Sequence, residues 1–149
     1  MKKFLPILII ALATVSGCIT LGEKNLEDRL SKPGSRNFRF VVFDSAIDNP
    51  DNDQRCYYRV FIDKVDSGRT TTGLESQEKS FEAALTPNRH LVRVEKWVLD
   101  EKKGRYEKLN NVKQPKPAYH YFVIPKGDDV TVTMSVGKGR RAHFSVKAE

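Results

Sequence analysis

The sequence predicts an all-β domain folded as an antiparallel β-sandwich, with a small β-barrel as the alternative. Three observations lead there. Apolar residues recur with a period of two through most of residues 37–149, the breaks are rich in Gly, Pro, Asn and Asp, and no stretch sustains a helical period.

The elements follow in order. Phe38, Phe40 and Val42 share one face of a first strand, with Arg39 on the other. After an Asn49-Pro50-Asp51 turn, Cys56, Tyr58, Val60 and Ile62 alternate with Arg55, Tyr57, Arg59 and Asp63. Asp66-Ser67-Gly68 reads as the next turn, by the φ freedom of glycine and the side-chain bonding of Asp and Ser. Phe81, Ala83 and Leu85 alternate with Glu82 and Ala84, and beyond Thr86-Pro87-Asn88 a strand sets Val92, Val94 and Val98 against Arg93, Glu95 and Trp97. Past a Lys103-Gly104 turn, Tyr119 to Ile124 is nearly continuous, as expected of a strand covered on both faces. Pro125-Lys126-Gly127 then introduces Val130, Val132, Met134 and Val136, alternating with Thr131, Thr133 and Ser135. A turn at Gly137-Lys138-Gly139 leads to Ala142, Phe144 and Val146, which alternate with His143 and Ser145.

Ahead of this domain, residues 18–36 are polar and carry Gly22, Pro33 and Gly34, the composition of a tether. Stretched at about 3.3 Å per residue, it would hold the domain up to roughly 60 Å from its anchor. The chain opens Met1-Lys2-Lys3 and continues without a charge from Phe4 to Val15, the layout of a secretory signal. A spanning helix needs about 20 apolar residues, so this run is too short to stay in a bilayer. Val15-Ser16-Gly17-Cys18 resembles the lipobox of bacterial lipoproteins: an aliphatic residue, two small residues, then cysteine. Val15 stands where leucine is commoner. The resemblance implies that residues 1–17 are a signal peptide and that Cys18 becomes a diacylglyceryl-modified N-terminus. Two or more acyl chains hold a protein on a membrane durably where one does not. In enterobacterial members of this family an aspartate after the cysteine favours inner-membrane retention. Ile19 in that place points to a lipid-anchored protein of the cell envelope's outer membrane.

Val60-Phe61-Ile62-Asp63, Ser67-Gly68-Arg69-Thr70 and the run from Phe81 to Val94 resemble the PEGA-type repeat, a small β module of bacterial envelope proteins. Asn88 and Arg89 stand where that family has its glycine, and the loop between the segments is long. The resemblance implies an Ig-like or PEGA-like sandwich more than any activity.

Without residues 1–17 the chain carries 24 basic and 19 acidic side chains, unevenly placed. Residues 18–101 hold 13 basic and 15 acidic; residues 102–149 hold 11 and 4. Such polarity suits an anionic lipid or glycan, and export excludes nucleic acid as the partner; a merely solvated surface is the alternative. Once Cys18 carries lipid, Cys56 has no disulfide partner, so it reads as a buried thiol, with a reactive thiol as the rival.

No catalytic constellation emerges. There is no Gly-x-Ser-x-Gly, and His90, His120 and His143 lack metal-ligand spacing. Asp128-Asp129 falls in a turn. The acidic loop from Asp48 to Asp53 lacks the glycine and distal glutamate of a helical calcium loop. No metal or cofactor is expected, and an enzyme is the least favoured class. Binding features are more legible. Trp97 has the parity of Arg93 and Glu95 instead of the valines, and Tyr57 and Phe61 share the outward parity of their own strand. An aromatic among charges on a sheet face can stack on a sugar or anchor a protein, unless residues 99–118 lie over it. Arg140 and Arg141, with Lys138, add a basic hairpin tip. The chain therefore reads as a binding module for an envelope protein or anionic glycan, or else as an accessory subunit of an envelope assembly.

Overall fold

A computed structural model describes residues 36–47 and 49–149, so the expected signal segment, Cys18, the expected tether up to residue 35 and Asp48 lie outside the described residues. Among the described residues ten strands follow in order: β1 (Phe38–Asp44), β2 (Arg55–Ile62), β3 (Val65–Arg69), β4 (Gly73–Leu74), β5 (Lys79–Ala83), β6 (Arg89–Asp100), β7 (Arg105–Lys108), β8 (Tyr119–Val123), β9 (Val130–Val136) and β10 (Ala142–Ala148). They form a sandwich of two sheets. The smaller has the order β10-β9-β1-β5; the larger runs β3-β2-β6-β7, with β4 beside β2 and β8 beside β6. Strand pairs are antiparallel except β1 and β9, which run parallel from Phe38↔Val130 to Asp44↔Val136. Period-two alternation is the same in both directions, so this pair was invisible in the sequence.

The inward phases are those the alternation implied. Phe38, Phe40 and Val42 of β1, Cys56, Tyr58, Val60 and Ile62 of β2, Val92, Val94 and Val98 of β6 and the alternate residues of β9 close one core. Burial of each large apolar side chain stabilises the fold by about 1.5–3 kcal/mol. Phe38 stacks on Phe122 with ring centroids 4.7 Å apart, fastening the small sheet to β8.

Two expectations are corrected. Asp66-Ser67-Gly68 lies within β3, and the chain reverses earlier, at Asp63 and Lys64, whose φ angles are 50° and 73°. A two-residue hairpin loop with both residues left-handed matches the right-handed twist of its strands. Gly68 instead serves a bulge at Val60/Phe61: its φ is 130°, and an added Cβ would sit 3.2 Å from the Phe81 ring. The stretch from Tyr119 is likewise no doubly covered strand. It is an edge strand whose Tyr119, Tyr121 and Val123 are 54%, 50% and 55% exposed.

Strand β6 spans twelve residues and organises the large sheet. One edge pairs with β2; the other is shared by β8 near Arg89–Arg93 and β7 near Trp97–Asp100. In the gap between them the Gln114 side chain imitates a strand. Its Oε1 accepts the Lys96 N–H at 2.7 Å and its Nε2 donates to the Lys96 carbonyl at 3.1 Å. Residues 109–118 thus complete this sheet edge.

Candidate functional site

The outer face of the large sheet carries the candidate site. Antiparallel register sets Tyr57 opposite Trp97, Arg59 opposite Glu95 and Phe61 opposite Arg93, and then Arg93 opposite Tyr119. Directly opposed residues point to the same side, so Tyr57, Phe61 and Trp97 do share one face. They interleave with arginines. The Arg69 guanidinium lies 5.1 Å from the Tyr57 ring; Tyr57 and Trp97 are 6.1 Å apart at 8°; Arg59 lies 5.9 Å from Trp97 and 5.8 Å from Phe61. Arg93 caps Phe61 at 3.9 Å. The result is an alternating cation–aromatic ladder along β2 and β6, each contact worth about 0.5–1 kcal/mol where exposed. Tyr106 widens it, 5.0 Å from Tyr57, and Arg89 covers Tyr121 at 4.5 Å.

Carboxylates balance only part of this charge. Arg59 Nε donates to Asp66 at 2.9 Å, while Arg93 and Lys108 both bind Glu95, at 2.8 and 2.9 Å. Burial alone would raise the Glu95 pKa, but Lys108 and Arg93 hold it below the usual carboxylate value. Arg69 and Arg89 rest on their tyrosines without a carboxylate among the described residues. A shallow groove runs beside the ladder between Tyr57, Arg59, Asp66, Gly68 and Arg69. Trp97 is half-buried, and its Nε1–H has no acceptor among the described residues.

Arg140 and Arg141 do not join this face. They belong to the β9–β10 turn of the small sheet and meet the residues before β8: Arg140 donates to the Lys113 carbonyl at 2.9 Å, and Lys116 bridges to Arg141. The five predicted patch residues therefore form two groups. The histidines also stay apart. His90 is buried, its ring nitrogens 2.8 Å from Asp63 and 2.9 Å from the Thr86 carbonyl, where it ties the β2–β3 turn to the loop before β6. His120 stacks on Phe144 at 5.1 Å, and His143 is exposed. Among the described residues no three His, Cys, Asp or Glu side chains gather as metal ligands. Within the acidic loop, Asp53 instead binds Ser76 Oγ at 2.6 Å.

A second constellation, inside the sandwich, escaped the sequence reading. The Lys96 ammonium lies 2.5 Å from Asp44 and 2.6 Å from Glu75, and Tyr58 donates its hydroxyl to Asp44 at 2.8 Å. Nearby, Lys79 is fully buried and donates to the carbonyls of Leu74, Glu75 and Gln77 at 2.6, 3.0 and 2.8 Å. Burial works against the Asp44 carboxylate, yet Lys96 first, then the Tyr58 and Ala46 donors, hold its pKa below the usual 3.8. Burial also opposes the Lys96 charge, and Asp44 and Glu75 raise its pKa above 10.5. Burial lifts Tyr58 well above 10.0 and the Cys56 thiol to about 11. The side chains of Asp44 and Lys96 are 0% and 2% exposed, which bars a substrate from them, so this cluster serves architecture.

No family model matches the chain, and searches of curated proteins and of solved structures find no match either.

Proposed function

We propose that this chain is a lipid-anchored binding module of the bacterial cell envelope, held through Cys18 and gripping its partner with the outer face of its large sheet. The observation that carries the reading is the ladder Arg69-Tyr57-Trp97-Arg59-Phe61-Arg93. Rigid rings supply contact area at little cost in entropy, arginines add directed charge, and such residues dominate binding surfaces. The lipobox resemblance and polar tether support the location, and a compact β domain suits such an anchor.

A photo-crosslinking amino acid at Phe61 tests this in cells. A discrete adduct is expected there, none with the crosslinker at exposed His143 on the other sheet, and loss of the Phe61 adduct in Trp97→Ala. Equal adducts at both positions would refute the assigned face.

A further inference from the structure

Strand β8 has a property that the ladder does not share. In an antiparallel sheet, successive residues turn their N–H and C=O alternately to the two neighbours. Val94 N–H donates to the Ala118 carbonyl and Ile124 N–H to the Asn88 carbonyl, both at 2.9 Å. The even-numbered residues of β8 therefore bond to β6, and Tyr119, Tyr121 and Val123 aim their backbone groups away from the sheet. Among the described residues no strand pairs with them. These same residues hold exposed apolar side chains. Free backbone groups and apolar side chains thus coincide over three alternate positions, the pattern onto which an extended peptide adds as a further strand.

The surroundings select the occupant. Residues 109–127 contain Lys113, Lys116 and Lys126 and no acid, and Arg89, without a carboxylate partner among the described residues, flanks β8 on β6, whereas Arg93 and Lys108 share Glu95. A second copy pairing edge to edge would bring like charges together; an acidic strand would be attracted. Strand β10 leaves the same Lys116–Arg141 bridge, and the His120–Phe144 stack closes that end of the seam between β8 and β10.

The geometry points to β8 as a strand-addition site for an extended, acidic segment of another envelope protein. The inference takes only its compartment from the binding-module reading, and its partner class deepens that reading.

Hydrogen exchange on the mature lipidated chain in detergent tests it, with a peptide of alternating Glu and Val as probe and its Lys-Val counterpart as control. The Glu-Val peptide should slow exchange at Tyr119, Tyr121 and Val123 by about tenfold, leaving the even-numbered amides, already bonded to β6, unchanged. Tyr121→Thr, which keeps the N–H, should retain the effect, and Tyr121→Pro should lose it. Trp97→Ala should leave it intact even if that change abolishes the Phe61 adduct, so the two proposals fail separately. The site is overturned by no slowing, by equal slowing with the Lys-Val peptide, or by protection confined to Phe144 and Val146. Protection before peptide is added would also overturn it: a second copy would be the occupant if protection rises with protein concentration, and residues 18–35 if it does not.

Discussion

The two faces of β6 handle charge in opposite ways. Inward, Lys96 is sealed between Asp44 and Glu75; outward, Arg93 lies over Phe61 while its side chain stays 39% exposed. A buried ion pair owes its persistence to mutual neutralisation, and removing one partner strands the other in a medium that cannot solvate it. An exposed arginine on a ring gains little and loses little, so it remains available to a partner. The same sheet thus keeps its inner charges paired and sealed and leaves its outer ones exposed on aromatic rings.

The sharpest way to break that contrast is Lys96→Met. It leaves Asp44 buried without its cation and should cost about 3–5 kcal/mol, read from urea unfolding. Adding Asp44→Leu should recover part of the loss. Next comes acid. The folded Asp44 pKa lies below its unfolded value near 3.8, so its contribution is complete above that pH and is lost as pH falls through the folded value. The stability of Asp44→Asn should accordingly fall less steeply as pH drops below about 3.8. Cys56, with its thiol raised to about 11 and no solvent exposure, should resist thiol reagents at neutral pH and react at the rate of unfolding. On the outer face, Arg93→Ala should cost only about 0.5–1 kcal/mol while weakening the Phe61 adduct. Lys103→Ala, which removes an exposed pairing with Glu107, should leave the unfolding midpoint unmoved.

The inner and outer phases of β1, β2, β6 and β9 were legible because alternation is a direct consequence of pleating. That legibility extended to Tyr57, Phe61 and Trp97, whose common face follows from parity once β2 and β6 pair. The interior cluster left a trace too. Asp44, Lys79 and Lys96 occupy inward phases among apolar residues. A charge on the core phase signals a buried pair, but choosing its partner requires knowing that β1 and β6 face each other across the core. The exposure of β8 could not be read, because an apolar run looks the same at an edge as in the middle of a sheet. Nor could the separation of Arg140 and Arg141 from Trp97, which depends on the two sheets they occupy.

The anchor on which the proposed function depends is tested most directly by the intact mass of the chain extracted from membranes. A mature chain beginning at Cys18 and carrying a diacylglyceryl group is expected, with that group absent from Cys18→Ser. A chain that begins at Cys18 without lipid, or that still carries Met1 to Gly17, would contradict it.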